Sequence, residues 1–143
     1  MTQSYPISAS GLLLDVMVGL PGKSMAPLVG AGEPVPAPIK SRALIDSGTD
    51  VTCIASSPLR GFGLNPVANR TSRTLSGSVF VDLFEVSFSL PGPTPGLLLV
   101  LPQLVVIEMR SPPPDINVLV GMDVLLQCVL HVDGPQRQFT VST

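Results

Sequence analysis

Residues 43–50 read Ala-Leu-Ile-Asp-Ser-Gly-Thr-Asp and occur once in the chain. Leu44 and Ile45 favour a buried strand, whereas Ser47 and Gly48 favour a turn and Gly48 leaves room beside the carboxylate of Asp46. We therefore predict that a strand ends here and presents Asp46 on a turn. Because Asp, Ser and Gly often meet in ordinary turns, an Asx turn without chemistry is the alternative interpretation of this tripeptide.

Carboxylate-pair chemistry needs two acids, one ionised to accept a proton and one protonated to donate one. A second Asp-Gly sequence lies at residues 131–135, His-Val-Asp-Gly-Pro. There Gly134 directly follows Asp133, and Pro135 removes a backbone donor, so this stretch predicts a hairpin turn. A site of this type would therefore take its second acid from another subunit.

A second informative stretch is Val-Leu-Val-Gly-Met-Asp-Val-Leu at residues 118–125, in which an apolar strand and Gly121 precede a short helix. Gly121 follows Asp46 by 121 − 46 = 75 residues. We predict the helix over residues 122–128, with Asp123 favouring its first turn. Between the two stretches, residues 68–81 are polar and flexible.

Together, the two stretches and their spacing resemble the retroviral-type, or retropepsin-like, aspartic protease family over residues 40–143. The resemblance implies an all-β fold: a closed or partly open acid-protease barrel with a β-hairpin flap and one short C-terminal helix. It also implies a single domain over residues 1–143, whose active site is completed by a second subunit in a homodimer. A plain chain of this kind suits a bacterial or cellular member.

The resemblance also assigns roles to residues. It implies that Asp46 is catalytic and that Gly121 lets the helix begin close behind the catalytic loop. One departure is Met122, where many retroviral members carry Arg, so an arginine supporting Asp50 is missing at that position. The other implied residues are Ser47 and Gly48 as active-site support, and Leu44, Thr49, Asp50, Leu75, Ser76, Gly77, Asn117 and Leu119 as substrate-binding residues.

The implied substrate is an extended peptide or protein with apolar residues near the scissile bond, cleaved by an aspartic endopeptidase without a cofactor or metal. The flap tip is expected at Leu75–Gly77. The alternative is a catalytically weak or inactive dimer that keeps the fold as a peptide-binding or scaffold module. A third interpretation is an unrelated β-sandwich with a chance Asp-Ser-Gly turn. Asp50 is nearly as well explained as a solvent-facing loop acid, and His131 as a strand residue.

Apolar runs separated by Pro and Gly predict strands nearly throughout the chain. The alternation of polar and apolar residues over 79–90 predicts a bend or bulge near Leu83 and Phe84. Residues 21–38 hold much of the Pro and Gly without periodicity, which predicts a long surface loop. The predicted strands are residues 11–20, 39–45, 51–54, 78–90, 97–107, 117–120, 129–132 and 138–142.

Composition excludes several classes of protein. Hydrophobic residues make up 45% of the 143 residues, which excludes a disordered chain. The net charge of −2, the lack of Trp and the single Tyr disfavour nucleic-acid binding. The apolar runs are too short to span a bilayer, and no basic segment opens the chain, so we expect a cytoplasmic protein outside the membrane. Cys53 and Cys128 lie in apolar runs and are expected to be buried thiols.

Overall fold

The computed structural model describes residues Met1–Thr143. Strands account for most of the regular structure, as expected, and three short helices connect them. The elements are β1 (Thr2–Pro6), β2 (Leu13–Gly19), α1 (Gly22–Gly30), β3 (Ile39–Ile45), β4 (Cys53–Ala55), α2 (Ser56–Gly61), β5 (Ala68–Thr74), β6 (Gly77–Pro91), β7 (Leu97–Met109), β8 (Val118–Val120), α3 (Met122–Leu125), β9 (Val129–Asp133) and β10 (Gln138–Ser142).

Six strands form a closed barrel in the order β2-β3-β8-β4-β7-β6. The barrel closes because β6 pairs with β2 as well as with β7, through residues 87–89 opposite residues 17–19. Alternate residues of the strands point into the barrel, where water is excluded from their side chains. Among the fully enclosed side chains are Val16, Val18, Phe84, Val86, Val106 and Val118.

Strand β6 passes from solvent into the barrel near Phe84, close to the position where a bend was predicted. From Phe84 to Leu90 every second residue is buried, whereas residues 77–80 are exposed on both faces. The first half of β6 pairs with β5 and leaves the barrel as a hairpin. The register irregularities lie between Val86 and Phe88 and between Leu90 and Pro91, so the predicted position of the bulge was wrong by a few residues.

The β5–β6 hairpin corresponds to the predicted flap. Its strands pair in register from Ala68 opposite Leu83 to Thr74 opposite Gly77, and the turn lies at Leu75 and Ser76. Gly77 has φ +122°, a conformation that side chains disfavour. The predicted tip is therefore confirmed, and Leu75 at this tip packs against nothing in the chain.

The two ends of the chain form a separate sheet in the order β1-β10-β9. The hairpin between β9 and β10 turns after Asp133, as the Asp-Gly-Pro sequence predicted. Tyr5 of β1 stacks on Phe139 of β10 with ring centroids 5.0 Å apart. Strand β1 was not predicted, because its sequence is mostly polar and lacks an apolar alternation.

The predicted short C-terminal helix is present as α3, whereas α1 and α2 were not predicted. Helix α1 occupies part of the stretch predicted as a loop; it contains Pro27 and buries no residue, so it lacks an apolar period. Lys23 ties it to the barrel through an ion pair of 2.7 Å with Glu85. Helix α3 ends at Leu125, earlier than predicted. None of the helices is long and apolar enough to cross a membrane.

Candidate active site

Asp46 stands at the carboxyl ends of two parallel strands. Ile45 of β3 pairs with Val120 of β8, and the Asp46 N–H donates to the Val120 carbonyl at 2.9 Å. Its Oδ1 accepts the Gly48 N–H at 2.9 Å, so the loop folds back on the carboxylate. Asp46 is half-buried and Ser47 is exposed. The predicted strand-to-turn junction is thus present, and the carboxylate remains accessible.

Gly48 fits closely beside this carboxylate. A Cβ atom at Gly48 would lie 3.1 Å from Asp46 Oδ1, which is tighter than an ordinary contact. A larger residue would therefore press on the carboxylate and strain the Gly48 N–H···Oδ1 hydrogen bond. The space that the sequence predicted beside Asp46 is therefore occupied by the backbone N–H of Gly48, which donates to the carboxylate.

Gly121 packs against the backbone of the loop that follows Asp46. A Cβ atom here would lie 2.9 Å from the Val51 carbonyl carbon and 3.0 Å from both the Thr49 oxygen and the Thr52 nitrogen. The backbone at Gly121 is extended, so close approach, and not an unusual φ, requires the glycine. The geometry confirms that α3 begins tightly against this loop.

A buried hydrogen-bond network joins the loop to α3. The Thr52 hydroxyl donates to Asp123 Oδ1 at 2.7 Å and accepts the Gly121 N–H at 3.0 Å, while the Thr52 N–H donates to Asp123 Oδ2 at 3.0 Å. Oδ1 of Asp123 also accepts the Val124 N–H at 2.9 Å. Asp123 thus favours the helix start, as predicted, and also holds the loop that carries Asp46. Thr52, which is fully buried, was not identified from the sequence.

Two further bonds connect the backbone of the loop with the start of α3. The Met122 N–H donates to the Thr49 carbonyl at 2.9 Å, and the Asp123 N–H donates to the Asp50 carbonyl at 3.2 Å. Hydrogen bonds of both its side chains and its backbone therefore hold the loop against α3. A carboxylate held on such a loop has a defined direction relative to the barrel.

A cleft of about 690 Å³ opens between this loop, β7 and the flap. The loop that carries Asp46 contributes Gly48, Thr49 and Asp50 to its wall, and the flap contributes Ser76 and Phe80. Such a volume is typical of a ligand site. The flap therefore lies across an open groove with the Asp46 loop at one side.

Comparisons with known proteins agree with this geometry. No protein-family profile and no curated protein matches the sequence. A retropepsin-like aspartic protease from Rickettsia conorii aligns over 99% of this chain and 90% of its own, with a TM-score of 0.59 and 10% sequence identity. The chain has the retropepsin-like fold. The alignment includes the N-terminal part of the chain, which the sequence resemblance did not cover.

Two viral proteases also align with this chain. The EIAV protease, solved with the inhibitor HBY-793, covers 81% of this chain and 86% of its own, with a TM-score of 0.51 and 12% identity. The simian foamy virus (mac) protease covers 77% and 89%, with a TM-score of 0.41 and 16% identity. At 12% identity the alignment with the EIAV protease shows the fold alone.

The predicted substrate-binding residues do not all lie at the cleft. Thr49, Asp50 and Ser76 line the cleft, whereas Leu75 and Gly77 lie beside it at the flap tip. The remaining three do not line the cleft. They are Leu44 and Leu119, which pair with each other across β3 and β8, and the exposed Asn117, which precedes β8.

Asp50 has a cation beside it despite the departure at Met122. Arg70 of the flap strand β5 places a guanidinium nitrogen 3.5 Å from Asp50 Oδ1. The sequence lacks an arginine after Gly121 to pair with Asp50, but an arginine on the flap strand β5 is placed beside Asp50 instead. The Asp50 side chain is 80% exposed, so this ion pair contributes little to stability.

Sequence reasoning missed the residues of β7 that form the far wall of the cleft. Glu108 has a fully buried side chain, held by Arg60 at 2.9 Å and by Arg110 at 3.3 Å. Arg110 also reaches Asp82 at the base of the flap at 3.3 Å. The lone charge inside an apolar strand was the available signal for Glu108, because such a residue needs a partner when it is buried.

The two cysteines, which were predicted to be buried thiols, are half-buried. Cys53 lies in the cleft wall, where burial is the main cause that raises its thiol pKa. Burial also raises the pKa of the Cys128 thiol. Both thiols are therefore protonated near neutral pH and poorly nucleophilic. No group of three or more His, Cys, Asp or Glu side chains is placed to hold a metal ion.

Proposed function

We propose that this protein is an aspartic endopeptidase that works as a homodimer. The observation that carries the proposal is the accessible Asp46 carboxylate, held on a rigid loop beside an open cleft in a retropepsin-like fold. The motif occurs once in the chain. A two-carboxylate mechanism therefore needs Asp46 from each of two subunits.

In the proposed site, the two Asp46 carboxylates approach to roughly 3 Å, where like charges cannot both ionise cheaply and one proton is shared. A water molecule lies between them. The ionised Asp46 accepts a proton as this water attacks the peptide carbonyl, and the protonated Asp46 donates to the carbonyl oxygen. The tetrahedral diol then collapses as the leaving amine takes up a proton. The reaction forms no covalent enzyme intermediate and uses only the water.

The neighbouring residues would support this chemistry. Ser47 is exposed and makes no side-chain hydrogen bond within its own chain, which leaves its hydroxyl available to the partner. The Gly48 N–H keeps Asp46 in place. The flap would cover an extended substrate and exclude water, with backbone contacts of the strand-addition type. Thr49, Asp50 and Ser76 would contact substrate side chains.

Asp46→Asn is the variant that tests this function, because it removes the acid and keeps the size of the side chain. Purified protein and variant are incubated with a mixed peptide library from pH 4 to 8, and new termini are detected by mass spectrometry. We expect cleavage by the parent chain and a loss of at least about a thousandfold in the variant, since no remaining group can activate the water.

Asp115→Asn is the matched control. Asp115 is exposed, lies outside the cleft and has φ 61°, a conformation in which Asn is well tolerated. This variant should cleave like the parent. Cleavage that survives Asp46→Asn would contradict the proposal, and a stable dimer that binds peptides without any cleavage would identify a peptide-binding module instead.

A further inference from the structure

The sheet formed by the two chain ends has an open edge at β9. Strand β10 lies in the middle of this sheet and pairs with β1 on one side and with β9 on the other, both within the same chain. Both edges of β10 are therefore occupied. The outer edge of β9 pairs with no strand, so the backbone N–H and C=O groups along it are available to a strand of another chain.

The apolar layer of this sheet reaches β9 and stops there uncovered. Phe139 of β10 is fully buried, whereas Val132, its register partner on β9, is 50% exposed. Val141 of β10 is also buried, and its register partner Leu130 is only partly buried. Because side chains alternate along a strand, Leu130 and Val132 share one face of the sheet. A further strand placed along β9 would extend this apolar layer over both of them.

The other free strand edges carry features that prevent pairing between chains, and β9 lacks these features. Strand β1 is largely polar and ends with Pro6, and the flap strand β5 carries Arg70 and Arg73. Charged residues and proline are the usual means of keeping an edge strand from pairing with another chain. Residues 124–132, by contrast, contain no Asp, Glu, Lys or Arg. The composition of the β9 edge therefore favours a contact over solvation.

The β9 edge also lies close to the loop that carries Asp46. Helix α3 begins against this loop and ends at Leu125, and β9 begins at Val129. These two residues are 129 − 125 = 4 positions apart, a span of at most roughly 14 Å. Leu126 and Val129 are exposed and extend the apolar surface between α3 and β9. A partner bound along β9 would therefore also stand near the Asp46 loop.

We propose that two copies of the chain meet through β9. The two β9 strands pair antiparallel about a twofold axis close to His131, the middle residue of the strand, and join the two sheets in the order β1-β10-β9-β9-β10-β1. A second copy fits because a twofold axis perpendicular to the sheet brings one strand edge antiparallel against itself, so that each copy covers the apolar layer of the other. This inference rests on the proposed function, since it names the surface through which the second Asp46 is supplied.

Val132→Lys tests this contact, because it places a like charge from each copy at the shared edge and leaves each ammonium without a partner. We expect the dissociation constant of the dimer, measured by sedimentation equilibrium, to rise at least about tenfold. Val100→Lys is the matched control, since Val100 is 54% exposed and lies on β7 in the other sheet. This control should keep the dissociation constant of the parent chain.

A mixture of Val132→Lys and Val132→Glu separates a lost contact from a folding defect. In the antiparallel pair the two residues at position 132 lie diagonally across the axis, within reach of long side chains, so opposite charges attract there. We expect mixed dimers, counted by native mass spectrometry, at a concentration where each variant alone is monomeric. Absence of mixed dimers, with both variants folded by circular dichroism, overturns the inference.

Peptide cleavage by the same samples separates this inference from the proposed function. A dimer that survives Val132→Lys, a dimer that Val100→Lys weakens equally, or a parent chain that stays monomeric overturns the β9 contact. If the surviving dimer shows cleavage that depends on Asp46, the peptidase function stands without this contact. A parent dimer that Val132→Lys dissociates, but that cleaves no peptide, supports the β9 contact while the peptidase function fails.

Discussion

At the residue scale, the sequence predicted the position of Asp46 because its neighbours have strict local requirements. The turn needs Gly48 beside the carboxylate, and the contact with the loop backbone needs Gly121. The requirement at Gly48 is local and visible in the sequence, whereas Gly121 was recognised from the stretch at residues 118–125 in which a strand and a glycine precede a helix. Thr52 was missed because a buried threonine in an apolar run resembles any strand residue, and its hydrogen bonds to Gly121 and Asp123 span about 70 positions.

Gly121→Ala tests the close contact behind the catalytic loop. The added Cβ would lie 2.9–3.0 Å from three backbone atoms, so the loop or α3 must move. We expect a loss of about 1–3 kcal/mol in the free energy of unfolding, as for overpacked cores, together with reduced peptide cleavage. Urea denaturation followed by circular dichroism measures the first, and library cleavage measures the second.

Gly134→Ala provides the comparison, since a Cβ there meets nothing within 4 Å and its φ is ordinary. It should be neutral or slightly stabilising. If Gly121→Ala proves as stable and as active as Gly134→Ala, the contact does not constrain the loop and our account of Gly121 is wrong.

At the scale of elements, strands were predicted well and helices poorly. Strands β3 and β10 begin and end where the apolar pattern predicted, and the flap turns at the expected tip. Helices α1 and α2 were missed because each contains Pro and Gly and neither shows a helical apolar period. In α2 the proline lies in the first turn, where a helix tolerates it. Tertiary contacts such as the Lys23–Glu85 ion pair are invisible in local sequence.

Thr52→Val tests the junction between the catalytic loop and α3. The substitution keeps the shape but removes the hydroxyl, so the Gly121 N–H loses its acceptor and Asp123 Oδ1 loses a donor. We expect the free energy of unfolding to fall by about 1–3 kcal/mol and cleavage to weaken as the loop loosens. Thr52→Ser retains the hydroxyl and should restore most of both. Equal stability of the Val and Ser variants in urea would show that the network is dispensable.

At the scale of the whole molecule, the proposed two-carboxylate site needs a second chain. The barrel is closed by β2–β6 pairing, and its single Asp46 lies on one loop. The sequence predicted the need for a second chain because the Asp-Ser-Gly motif occurs only once. The surface through which two chains would meet could not be predicted, because it combines residues that are distant in the sequence. The single domain and the cytoplasmic location stay predictions.

Mixing the parent chain with Asp46→Asn tests the shared site most directly. If each site needs Asp46 from both subunits, an equimolar amount of the variant should lower the cleavage rate of a fixed amount of parent chain to about half, because subunits redistribute into inactive mixed dimers. Mass measurement by light scattering should give particles of twice 14.9 kDa throughout. Asp115→Asn, added in the same way, should raise the rate instead. A rate that Asp46→Asn leaves unchanged, with mixed dimers shown to form, would contradict the shared two-aspartate site.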